Sequence, residues 1–126
     1  MTLAPWVYPV GSGLSLHQDG GRYSGAYTFF VHPDWKLQWG GGLIVLDPAT
    51  DLRKQNDESS WLDDSEENSG IWEPGLGTVI LPKPNRLVFL SPLAHHLMSR
   101  VDAAAGMRAR VSIAGFFRKS AQLKSY

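Results

Sequence analysis

The residue types that could do chemistry together are His17, Asp19, His96 and Arg110. In an extended strand successive side chains point to opposite faces, so His17 and Asp19 of the run His17-Gln18-Asp19 emerge on one face, an imidazole beside a carboxylate. A second imidazole far along the chain, His96, completes a two-histidine, one-carboxylate facial set. Such a set holds divalent iron and leaves positions open for a cosubstrate and dioxygen. His95 competes for the third place. Arg110 contributes a planar fork that matches a carboxylate bidentately and cannot lose its charge. Arg108, two residues earlier, would share its strand face and competes with it. Ser112 lies on that face too, with a hydroxyl able to add a hydrogen bond to the same carboxylate, and with Ile113-Ala114-Gly115-Phe116 it favours Arg110.

The elements that must position these groups belong to one domain. A chain of 126 residues with 43% hydrophobic and 19% charged residues fits one core, spanning 1–126. Twelve basic residues balance twelve acidic ones, so no global field points to nucleic acid or an anionic membrane as partner. Cysteine is absent, which excludes disulfides, thiolate metal sites and cysteine nucleophiles. No basic region followed by a long apolar run opens the chain, and a cytoplasmic location is expected. Thirteen glycines, eight prolines and fourteen aromatics (five Trp, four Tyr, five Phe) suit a turn-rich β architecture.

In chain order, Gly11-Ser12-Gly13 reads as a tight turn leading into Leu14-Ser15-Leu16 and the first histidine. Ala26-Tyr27-Thr28-Phe29-Phe30-Val31 has the content of a strand buried on both faces, with His32 as a turn residue at its end. Leu43 to Leu46 is another short strand. Residues 49–77 form a long polar surface loop, of which the excursion from Asp51 to Asn68 is a candidate lid. Its run Asp63-Asp64-Ser65-Glu66-Glu67 lacks the glycine and spacing of a calcium loop and reads as solvated. Thr78 to Pro82 and Arg86 to Leu90 are strands joined by a turn at Lys83-Pro84-Asn85. The last strand is expected from Arg108 to about Phe117, followed by a helical or frayed tail from Arg118. Trp35 and Trp39 read as packing residues. About eight short strands without a long helix indicate a mainly β, double-sheet jelly roll, or double-stranded β-helix, the class that includes the cupins.

The sequence resembles the prolyl-hydroxylase-like branch of the 2-oxoglutarate and iron(II) dependent dioxygenases, in particular the Egl-nine-type oxygen-sensing prolyl hydroxylases. The likeness runs from Tyr8-Pro9 and Gly11-Ser12-Gly13 through His17-x-Asp19, Phe30-Val31-His32-Pro33-Asp34-Trp35 and Gly41-Gly42-Leu43 to Pro84-Asn85-Arg86-Leu87-Val88-Phe89, His96-x-Met98-x-x-Val101 and Arg110-x-Ser112. It implies that His17, Asp19 and His96 bind iron(II) and that Arg110 pairs with the distal carboxylate of 2-oxoglutarate, helped by Ser112 and Thr28. It places Tyr8 at the mouth near the metal, and Ile44 and Phe116 on the apolar wall. The offsets of Met98 and Val101 select His96 over His95. The implied activity is hydroxylation of an unactivated C–H bond, in a prolyl residue of a peptide or in a small molecule. It consumes O2, releases succinate and CO2, and admits ascorbate as an accessory. Two departures stand out: Phe30 occupies the place of a family tyrosine, and the span from His96 to Arg110 is longer, at Ala103-Ala104-Ala105. Family members also carry helices before the metal-bearing strand. Their lack here implies a shortened form, or a homo-oligomer whose partner subunit covers the exposed sheet face.

Overall fold

A computed structural model describes residues 1–47, 60–61 and 76–120. Nine strands are present among them: β1 (Ala4–Tyr8), β2 (Leu14–Gln18), β3 (Tyr23–Phe30), β4 (Leu43–Leu46), β5 (Ser60–Trp61), β6 (Gly77–Ile80), β7 (Leu87–Leu90), β8 (His96–Met98) and β9 (Arg110–Arg118). Two 3-10 turns, Leu37–Trp39 and Ala103–Ala105, are the only helical elements among the described residues. The strands form two antiparallel sheets, one in the order β1-β9-β3-β7 and one in the order β5-β2-β8-β4-β6. This is the mainly β, jelly-roll-like architecture that the strand count and turn content indicate.

The turn at Gly11 to Gly13 forms as expected. Gly11 takes φ +85°, and the Ser12 N–H donates to the Pro9 carbonyl at 3.1 Å. β3 is buried on both faces over much of its length, with Phe30 fully enclosed. Trp39, Val101 and Ala105 make a compact apolar cluster against which Tyr8 and Trp35 pack. The inserted Ala103–Ala105 is therefore an ordered turn, capped by the Asp102 carboxylate accepting from the Ala104 N–H at 2.8 Å.

Three expectations need correction. The turn at Lys83-Pro84-Asn85 does not close a hairpin: β6 and β7 lie in different sheets, so residues 81–86 carry the chain across the sandwich. Asn85 takes φ +62° there, a conformation its short polar side chain tolerates. Arg108 is not on the last strand, which begins at Arg110; Arg108 sits exposed with its guanidinium 4.5 Å from the centre of the Trp39 ring. His32 sits in a bend just past β3, as expected, and is 3% exposed with both ring nitrogens engaged. Within the polar stretch 49–77, Ser60–Trp61 pairs with β2 and Gly77 already belongs to β6. The acidic run Asp63 to Glu67, the lid reading and the tail beyond residue 120 lie outside the described residues.

Candidate metal centre and adjoining cavity

His17 and His96 stand directly opposite each other on neighbouring antiparallel strands, β2 and β8, which brings their ring centroids to 4.3 Å. Asp19 lies one residue beyond the end of β2. Its N–H and that of Gly20 both donate to the Pro92 carbonyl, at 3.1 and 3.0 Å, and Gly20 takes φ +91° to make this turn. The turn brings the carboxylate toward the imidazoles: Oδ1 is 3.6 Å from His17 Nε2, and Oδ2 is 3.9 Å from His96 Nε2.

The ring orientations follow from backbone contacts. His17 Nδ1 lies 2.7 Å from the Ser15 carbonyl and His96 Nδ1 lies 2.8 Å from the Ala94 carbonyl. A carbonyl only accepts, so each Nδ1 carries the hydrogen, and in the neutral ring the coordinating lone pair is on Nε2, facing Asp19. Burial pushes the His17 imidazole below its ordinary range, with His96 adding in the same direction, against the Ser15 hydrogen bond and Asp19. Burial pushes the Asp19 carboxyl up, opposed by the two imidazoles. All three residues are at most 7% exposed, and Asp19 Oδ2 has no hydrogen-bond partner among the described residues. The ligand-capable atoms lie within 4.8 Å of one another. With bonds of about 2.1 Å at right angles, adjacent donors sit about 3 Å apart, so a divalent cation would draw each group inward by less than about 1 Å. The donor set, its orientation and the orphaned carboxylate oxygen fit such an ion.

The same three side chains line a cavity of about 190 Å³ between the sheets, together with Tyr8, Thr28, Arg110 and Ser112. Arg110 is 3% exposed, and among the described residues no carboxylate pairs with it. Its guanidinium carbon lies 4.7 Å from the centre of the Phe30 ring and 5.2 Å from that of Tyr8, its direct partner across β1 and β9. Burial brings its pKa down to about 10, with Tyr8 acting in the opposite direction. The Tyr8 hydroxyl is itself pushed up by burial, against the pull of Arg110. Arg110 Nε is buried without a hydrogen-bond partner. Gly41, at φ +69°, backs onto the arginine stem: a Cβ there would come within 2.9 Å of Arg110 Cδ. A partly unpaired buried cation facing a cavity is able to pair with an anionic ligand.

Tyr8, His17, Asp19, Thr28, His96, Arg110 and Ser112 thus all line the cavity, and Phe116 lines its apolar wall as expected. Ile44 does not; Leu43 takes that place. Four consecutive apolar residues, Leu43 to Leu46, offer no alternation from which to choose the inward parity. The N-terminal segment also escaped the sequence reading. Thr2, Leu3 and Ala4 line the cavity, held by Thr2 N–H donating to the Phe116 carbonyl at 2.9 Å and by the Tyr27 hydroxyl donating to the Thr2 carbonyl at 2.9 Å. His95, half-buried, takes no part in the triad.

No protein-family model and no curated protein matches the sequence. Among solved structures, the chain is similar to the crystal structure of a Pseudomonas putida prolyl-4-hydroxylase, with a TM-score of 0.64 at 19% identity, over 94% of this chain and 51% of that one. The fold is therefore prolyl-hydroxylase-like, and the chain spans about half the length of that neighbour.

Proposed function

We propose that the chain is an iron(II)- and 2-oxoglutarate-dependent oxygenase that hydroxylates an unactivated C–H bond. One observation carries the reading: two backbone-oriented imidazoles and a carboxylate converge in the same cavity as a buried arginine that no carboxylate pairs with among the described residues. His17 and His96 offer neutral nitrogen donors and Asp19 a negative charge, a set suited to a divalent ion with open positions. Arg110 holds the distal carboxylate of the cosubstrate, with the Ser112, Thr28 and Tyr8 hydroxyls at hand to complete its hydrogen bonds. Leu43, Ala114 and Phe116 keep the remaining wall dry. Bound iron(II) supplies the oxidative chemistry, coupling dioxygen activation to decarboxylation of 2-oxoglutarate to succinate and CO2. The substrate is a prolyl residue in a peptide, in keeping with the prolyl-4-hydroxylase name of the structural neighbour, with a small molecule as the other candidate.

A second reading, a binding module without turnover, draws on Phe30. The ring beneath the Arg110 guanidinium carries no hydroxyl, which leaves the cosubstrate one anchor fewer. The experiment separates the two. Anaerobic iron(II) with 2-oxoglutarate should give a weak visible charge-transfer band that the Asp19→Ala protein lacks, and admission of air should yield succinate. Absence of both from the unaltered protein would leave the binding module.

A further inference from the structure

The outer edge of β6, the last described strand of its sheet, adjoins a groove that the oxygenase reading does not use. The Asp47 N–H donates to the Leu76 carbonyl at 3.1 Å, in register with the β4–β6 ladder. Bonded pairs alternate along an antiparallel ladder, so Val45–Thr78 and Leu43–Ile80 are bonded and Ile44–Val79 is not. The Val79 N–H and C=O therefore point away from β4, and among the described residues no strand pairs with that side. The Val79 side chain is 59% exposed. With Leu37 and Leu81, 73% and 43% exposed, it walls a groove of about 400 Å³ that shares no lining residue with the metal cavity.

Lys36, Lys83 and Arg86 line this groove, and among the described residues no carboxylate does. Two of the cations are held in place: Arg86 Nη1 donates to the Leu81 carbonyl at 2.8 Å, and Lys36 Nζ lies 5.5 Å over the Trp39 ring. Wet apolar side chains, three cations without a lining counter-charge among the described residues and a strand edge that no described strand pairs with together define one kind of occupant. We propose that an extended acidic segment of another polypeptide docks here by adding as a strand beside β6. Its main chain bonds the Val79 N–H and C=O, one apolar side chain enters the groove, and carboxylates two residues to either side meet the cations. Single-stranded nucleic acid would satisfy the cations but has no use for the strand edge.

The test uses the full chain and the fluorescein-labelled pentapeptide Glu-Thr-Leu-Thr-Glu, followed by anisotropy. Saturable binding that weakens with salt is expected, with no binding of Lys-Thr-Leu-Thr-Lys. Lys83→Glu should weaken it about tenfold or more. Val79→Pro removes the outward N–H without cutting the ladder to β4, and should do the same, while Val79→Ile keeps full affinity. Circular dichroism of each variant confirms the fold. The proposal is overturned if the glutamate peptide does not bind, if the lysine peptide binds equally, if Val79→Pro leaves affinity unchanged in a folded protein, or if a thymidine oligonucleotide displaces the peptide from wild type and Val79→Pro alike.

Discussion

Arg110 carries its charge where burial opposes it. The fall to about 10 corresponds to roughly 3 kcal/mol favouring the neutral form, a net cost in which burial outweighs the opposing contribution of Tyr8. The sign is fixed. A base whose folded pKa is depressed destabilises the fold fully below that pKa, and the cost fades as pH rises toward the unfolded value. Arg110→Met, of similar length and apolar, should therefore be more stable than wild type at pH 7 by about 1–3 kcal/mol in urea unfolding, with a gap that narrows above pH 10. The same variant should lose the thermal stabilisation that 2-oxoglutarate gives wild type in the presence of iron(II). Equal stabilisation of both would remove the arginine from the ligand site. At this scale the sequence was informative: His17, Asp19 and His96 could be grouped from residue type, strand parity and flanking motifs. What it did not contain was the choice between Arg108 and Arg110 by parity alone, because the start of β9 depends on the Ala103–Ala105 turn and not on any local apolar pattern.

Between elements, His32 does what no pattern announced. Its Nε2 lies 2.6 Å from the Pro82 carbonyl, so that nitrogen donates, and its Nδ1 lies 3.1 Å from the Val111 carbonyl and 3.2 Å from the Val111 nitrogen. The ring thereby ties β9, at the residue between Arg110 and Ser112, to the segment that crosses from β6 to β7. His32→Leu keeps comparable bulk but leaves a buried donor and a buried acceptor unmet, and should destabilise the protein by about 2–4 kcal/mol in chemical unfolding. A loss under about 0.5 kcal/mol would show that the tie is dispensable. Strand identities were readable because β-branched and aromatic runs are bounded by glycine and proline. Sheet membership was not: Lys83-Pro84-Asn85 has the composition of a hairpin turn, and only the partners of β6 and β7 reveal that the chain changes sheets there. The pairing of β2 with β8, which sets the two imidazoles face to face, is likewise a long-range choice.

Across the whole molecule, the two sheets differ in how they meet solvent. The four-stranded sheet turns Arg110, Ser112 and Thr28 toward the cavity, while Val7, Leu87 and Phe89 remain 63%, 49% and 64% exposed. If a second copy covers this apolar surface, sedimentation velocity should show association that rises with concentration and falls in Phe89→Glu; a single monomeric species at every concentration would remove that idea. The mainly β architecture was predictable from turn residues and strand-like runs. The convergence of the metal-ligand candidates rests on the folded sandwich as a unit, because His17 and His96 are separated by most of the chain. The most direct measurement is therefore anomalous diffraction from crystals grown anaerobically with iron(II). The account predicts one peak per chain, within about 2.2 Å of His17 Nε2, His96 Nε2 and an Asp19 carboxylate oxygen. No peak there in a crystal soaked to saturation, or a peak held by other residues, would contradict it.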